Sequence, residues 1–252
     1  MTIATANVGL TASAVSFGAA VAGQFGAESL TVVGNTTLGA NILFSNLANL
    51  TLDGTVDGDV AGRTLTIDIT GALSITGAAG GTQNLGGFTV VGNATSVTVD
   101  AVTVSGAPIL IGSAGNPIPV INANGTLTTL LAGAGGTLIL QGGGITLAGI
   151  AVGQHNIELY GDGQDTVVAN PITSAGAITI SAPRDVVVEA LITTTAGDIT
   201  LTADSDNNGT GGVLITATGG LNSAGAVVVN GTAFTDLNAL GGYRGRRRGR
   251  HQ

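Results

Sequence analysis

Ile172–Ala203, ITSAGAITISAPRDVVVEALITTTAGDITLTA, contains the same phrase twice. Ala175-Gly176-Ala177-Ile178-Thr179-Ile180-Ser181-Ala182 returns 21 residues later as Ala196-Gly197-Asp198-Ile199-Thr200-Leu201-Thr202-Ala203. Each copy is a glycine-containing turn followed by a short run in which aliphatic and hydroxyl residues alternate. That alternation is the period-2 signature of a strand with one buried face. A unit this short cannot bury a core by itself, so it must stack on its neighbours.

Outward from this pair, the chain reads as variations on the same unit. Ser29-Leu30-Thr31-Val32-Val33-Gly34 recurs as Asn49-Leu50-Thr51-Leu52-Asp53-Gly54, with Ile42-Leu43-Phe44 between them. Further versions begin at Thr64, Ala72, Gly87, Ser96, Thr137, Ile145 and Asn156, and again at Val213 and Ala226. Residues 1–28 are Ala/Gly-rich, with Val15-Ser16-Phe17 as their first strand. Pro117 and Pro119 cannot donate to a ladder, so the segment around them is expected to be an edge, a bulge or a loop. Gln141-Gly142-Gly143-Gly144 reads as a turn. The spacing predicts an all-β parallel β-helix, or β-solenoid, of about 20 residues per coil over residues 1–240, with an Arg/Gly-rich tail at 241–252. About twelve such coils, each rising roughly 4.8 Å, would make a rod of about 55–60 Å. Tandem β-sandwiches are the alternative, since they too have short strands and glycine-rich turns.

Composition supports an all-β chain. Of the 252 residues 43 are glycine and 9% are charged, against roughly 25% charged in an ordinary soluble domain. A hydrophobic content of 44% opposes disorder, and no apolar run approaches the 18 residues of a membrane span. There is no cysteine, hence neither a disulfide nor a thiolate metal site. The opening residues lack the basic stretch of a secretory signal. Charge is split sharply. Through Gly242 the chain has fifteen acids and two arginines, Arg63 and Arg184, so 2 − 15 = −13. The remaining five arginines, Arg244, Arg246, Arg247, Arg248 and Arg250, crowd the tail and restore the net −8.

AGDITLTADSDNNGTGGVLI and SFGAAVAGQFGAESLTVVGNTTLGANI resemble the repeats of bacterial surface proteins of the filamentous-haemagglutinin or β-strand-repeat type. The resemblance covers most of residues 15–232 and rests on short phrases. It implies a right-handed parallel β-helix, exported to the cell surface, acting as an adhesin or structural fibre. The Asn-Pro-Asn export signature of that family is not seen near the N-terminus. Its nearest match, Gly115-Asn116-Pro117-Ile118, is mid-chain.

Few residues suggest chemistry. Asp204-Ser205-Asp206-Asn207-Asn208-Gly209 matches the first half of a calcium loop, with Asp204, Asp206 and Asn208 as ligands at alternate positions. Ile215 stands where such a loop places its bidentate Glu, so the bland alternative is a solvated turn. Asp162-Gly163-Gln164-Asp165 is a second acidic turn. A carbohydrate-active enzyme or binding module on a β-helix scaffold would cluster carboxylates with a base. The body offers only Arg63, Arg184 and His155 as basic groups. Arg184 is expected to pair locally with Asp185, and His155 to be a loop side chain. The tail looks like an RGG-type nucleic-acid segment. A body at −13 repels nucleic acid, so the expected partner of these arginines is the acidic flank of another copy. No nucleophile elbow, P-loop or dinucleotide fingerprint occurs. The reading is a non-enzymatic element of an extracellular fibre or cell-surface adhesin, without cofactor unless calcium binds. It is expected to assemble into homo-oligomers or filaments and to meet a surface glycan or host surface.

Overall fold

The computed structural model describes residues 1–91, 93–113, 116–132, 138–154, 157–161, 165–168, 171–174 and 176–236. Every regular element among them is a strand, so no helix there is long and apolar enough to cross a membrane. All the strand-to-strand pairings are parallel, which a hairpin sandwich cannot provide. The chain is a β-solenoid whose strands return about every 23 residues.

Each turn contributes a strand to each of three ladders, and so to three faces. The first face runs from Thr2–Ile3 through Val21–Gly23, Ile42–Leu47 and Thr64–Ile69, and ends on Ile178–Ser181, Ile199–Thr202 and Val227–Asn230. The second carries residues 7–11, 29–33, Asn49–Asp53, Ala72–Ile75 and Ser96–Val99, and finishes with Val186–Val188, Gly212–Ile215 and Ala233–Asp236. The third includes residues 14–17 and 36–38, Val56–Gly58, Ile172–Ser174, Leu191–Thr194 and Gly220–Ser223.

Alternation along each strand sends one set of side chains inward, and parallel pairing stacks like on like. Leu30, Leu50, Leu73, Val97 and Ile121 share one register position in successive turns, and all are buried. The repeat that opens the sequence reading behaves as expected. Ile178 stacks on Ile199 and Ile180 on Leu201, all four fully buried, and the row continues to Val227 and Val229. The N-terminal part of the core holds Phe17, Phe44 and Phe88, with the Phe17 and Phe44 rings meeting edge to face at 5.2 Å.

The recurring Ser-Ala-Gly phrase has a structural cause at the corner after the third face. Ser174, Thr194 and Ser223 stack in one row. Thr194 Oγ1 donates to the Gly197 carbonyl at 2.6 Å and lies 3.1 Å from Ser223 Oγ, while the Gly176 N–H donates to Ser174 Oγ at 3.0 Å. These bonds satisfy hydroxyls that would otherwise be buried without partners. Gly197 must lack a side chain, because a Cβ there would sit 2.4 Å from the Ala177 nitrogen of the turn below.

Several expectations need correction. The step is longer than 20 residues because enlarged corners intervene. Val186 pairs with Val213 across the 203–211 loop, and Ile109 pairs with Leu138. A longer coil means fewer turns than twelve. The weakly patterned N-terminus forms strands at Thr2–Ile3, Asn7–Phe17 and Val21–Gly23. The proline segment is part of the strand Ile118–Ala132. Pro119 is tolerated because the ladder to Ser96–Val99 starts one residue later, at Val120. Gln141–Gly144 is no reversal but lies within the strand Leu138–Gln154. That strand crosses from the first face to the second, and Gly142 lies where a Cβ would meet the Ile118 carbonyl at 2.5 Å.

Ile199 is flanked by Ile178 and Val227 and completely enclosed. Ile199→Asp places a carboxylate in a row with no partner for it and should cost several kcal/mol, about 3–5. Thermal unfolding followed by circular dichroism checks this. A variant that melts with the parent would show the register to be wrong.

Candidate functional site

A sharp corner breaks the backbone ladder, leaving N–H groups that no strand can satisfy. In this chain Asp and Asn side chains take that role, each reaching one turn along the solenoid. The Asp185 N–H donates to Asp165 Oδ1 at 3.1 Å, and the Gly212 N–H donates to Asp185 Oδ1 at 2.8 Å. Asp198 Oδ1 accepts from Ala226 at 2.7 Å, and Asp57 Oδ1 accepts from Thr82 at 2.9 Å. Asn49 and Asn41 do the same for Ala72 and Thr64. The carboxylates are therefore strung along the corners, spaced by whole turns.

The two body arginines join the same scheme. Arg184 forms a two-point contact with Asp165, Nε to Oδ1 at 2.7 Å and Nη2 to Oδ2 at 2.8 Å. The expected local pair with Asp185 is thus replaced by one that reaches to the preceding turn. The Arg184 guanidinium holds the Asp165 carboxyl below its usual range, helped by the Asp185 N–H and opposed by desolvation. Arg63 grips Asp59 in the same two-point manner at 2.6 and 3.0 Å, four residues away.

One carboxylate escaped the sequence reading. Glu28 is 2% exposed, at the base of the loop before Ser29–Leu38. It accepts the Phe25 N–H at 2.8 Å and the Ala27 N–H at 3.0 Å. Desolvation opposes its charge, but N–H groups from Phe25, Glu28, Ala27 and Gly26 together bring its pKa below the ordinary value. The loop it organises holds Phe25 out into solvent, 72% exposed. A lone Glu before a strand gives no sign in sequence of the backbone it will gather.

The Asp204 loop is an enlarged corner laid over Pro183 and Arg184. The Asp204 N–H donates to the Arg184 carbonyl at 3.2 Å, and the Ser205 N–H to the Ala182 carbonyl at 3.1 Å. Positive φ angles at Asp204, Asn207 and Gly209 curl it tightly. The three residues expected as ligands do come together, but the loop itself uses their polar atoms. Asp204 Oδ1 accepts from Gly209, and Asp206 Oδ2 accepts from the Asn208 amide at 2.8 Å. Asn208 Oδ1 accepts both the Thr210 N–H and its hydroxyl. Turning the amide over to offer its oxygen elsewhere would face its NH2 toward the Thr210 N–H. The arrangement fits a self-closed turn better than a cation cage.

His155, Asp162 and the tail arginines Arg244, Arg246, Arg247, Arg248 and Arg250 lie outside the described residues. The corner ladder itself was missed in sequence. At Asn41, Asp165, Asp185 and Asp198 its signal is an Asp or Asn just before a strand. No family model matches the chain, and no curated protein or solved structure matches it either.

Two outcomes are expected. Asp185→Ala, which leaves the Gly212 N–H without its acceptor, should destabilise by about 1–2 kcal/mol, whereas Asp185→Asn keeps an acceptor and recovers most of the loss. Chemical denaturation of the two variants compares them directly. Millimolar calcium should leave the melting temperature unchanged; a rise that Asp206→Ala removes would show that the ion takes these ligands.

Proposed function

We propose that the chain is a non-enzymatic structural or adhesive element of an extracellular fibre or cell-surface protein, associating with its own kind through the edges or sides of the solenoid. The observation that carries this reading is where the charged groups are spent. Glu28, Asp57, Asp165, Asp185 and Asp198 all accept backbone N–H groups, and Arg63 and Arg184 are both locked to carboxylates. General acid–base work needs a carboxyl free to exchange a proton with a substrate. Groups committed to holding one turn on the next are poorly placed for it. The resemblance of the repeat phrases to surface-fibre proteins supports the extracellular setting.

A stacked hydroxyl row supports the adhesive side of the proposal. Thr31, Thr51, Ser74 and Thr98 occupy one outward position in consecutive turns of the second face. Hydroxyls repeated about every 4.8 Å suit a glycan surface or a second protein face. The tail arginines belong to the same proposal, as weak, salt-screened contacts to acids on a neighbouring copy that tune assembly.

Purified protein should appear as short rods in negative-stain electron micrographs. It should release no reducing ends from a panel of polysaccharides. Sugar release that disappears in Asp165→Asn or Asp185→Asn would move the protein to the carbohydrate-active enzymes.

A further inference from the structure

The corner between Val21–Gly23 and Ser29–Leu38 takes residues 24–28, where the same corner one turn on takes only Ala48. It is held by described turns on both sides. The Gln24 N–H donates to the Ile3 carbonyl and the Ser29 N–H to the Ala6 carbonyl, both at 2.8 Å. On the other side the Glu28 carbonyl accepts from Ala48, also at 2.8 Å. Phe25 therefore projects from within the stack.

Two devices shape this corner, and both carry a cost. Glu28 buries its carboxylate to accept the N–H groups of Phe25 at 2.8 Å and Ala27 at 3.0 Å. One turn on, a β-bulge between Ser45 and Leu47 leaves Asn46 in the left-handed region, with a φ of 53°. The Asn46 Nδ2 donates to the Gly23 carbonyl at 2.8 Å, and its Oδ1 lies where a Cβ on Gly26 would be 3.0 Å away. Their joint product is a fixed backbone under a phenyl ring that is 72% exposed, the most exposed large apolar side chain among the described residues. An aromatic anchor set in place before its partner arrives loses little freedom on binding.

The groups around the ring are polar and neutral. Gln24 and Asn46 are exposed, and Asn46 Oδ1 accepts no hydrogen bond among the described residues. Residues 1–52 include one charged side chain, Glu28, and it is buried. Along the adjoining row of the first face, Ala22 and Ser45, the first charge is Asp68, two turns from Ala22. This setting discriminates between partners. A charged ligand finds no counter-charge, and an apolar protein pocket would have to strip water from two amides beside the ring. A neutral sugar suits both features, since its C–H face can lie on the phenyl ring while its hydroxyls reach the amides at the rim.

We infer that Phe25 is the stacking platform of a binding site for a neutral glycan, with Gln24 and Asn46 hydrogen-bonding its hydroxyls and Glu28 positioning the loop. The inference rests on the proposed adhesive role and gives it a site and a ligand class.

The test is titration calorimetry of the full chain with cellohexaose, chitohexaose, maltohexaose and xylohexaose, and with oligogalacturonate as the charged control. At least one neutral probe should bind saturably and more tightly than the control. Phe25→Leu, which keeps apolar bulk without a flat face, should weaken that binding by roughly tenfold or more, while Phe25→Tyr retains it. Both variants should melt with the parent, because the ring meets solvent and not the core. Glu28→Gln should weaken the same binding, and should add nothing further in the Phe25→Leu background, because Glu28 acts through the placement of the ring. Preference for the charged control, indifference to Phe25→Leu, equal loss in Phe25→Tyr, or an additive effect of Glu28→Gln overturns the site and leaves an adhesive protein. Binding of none of the probes overturns the inference, while rods in micrographs without sugar release would still uphold the fibre role.

Discussion

Parallel, in-register stacking of one turn on the next is the interaction on which everything else depends. A turn of about 23 residues encloses too little apolar surface to stand alone, so each turn is stable only between two others. The backbone bonds and the inward rows serve this one contact together. Because the same position recurs at a spacing near 4.8 Å, a residue must suit whatever lies above and below it as well as its own strand. Isoleucine on isoleucine satisfies that requirement, as at Ile172, Ile178, Ile192 and Ile199. A charge does not, because a row offers it no partner.

The corners are where stacking is hardest to maintain. There the chain changes direction, strand pairing lapses, and the turns still have to nest. Small residues solve the steric part, as at Gly197 and Gly225, each pressed against the turn before it. Asp and Asn solve the polar part by reaching across to the next turn's N–H groups. This explains why a protein so poor in charge spends it as it does. Glu28, Asp57, Asp165, Asp185 and Asp198 hold backbone N–H groups of the coil, and the described arginines grip Asp59 and Asp165.

The strands of the repeated phrases were legible because alternation and repetition are both local signals. Ile178 and Ile199 could be placed in the same row from spacing alone. The third face was harder to see. Its strands are as short as Val56–Gly58 and Ile172–Ser174, and at Ala79 the ladder is carried by isolated bridges. Three residues are too few to show a period. The first long strand, Asn7–Phe17, was hidden because it bends between Thr11 and Ala14, and Ala12 and Ser13 there break the alternation. Pro119 and Gly142 misled for a shared reason: both look like breakers, yet each sits where a ladder begins or a corner passes between faces. Partners one turn away, such as Asp165 for Arg184 or Gly212 for Asp185, cannot be read until the step is known. That step varies here from corner to corner.

The register can be tested with two thiols in a chain that has none of its own. Thr179 and Thr200 are half-buried, point outward and stand opposite each other in adjacent turns, whereas Thr193 belongs to another face. With a short bifunctional thiol reagent, the stacked arrangement predicts rapid intramolecular cross-linking in the Thr179→Cys/Thr200→Cys variant. It predicts none in Thr179→Cys/Thr193→Cys. Cross-linking of the second pair, or failure of the first in the folded protein, would contradict the solenoid.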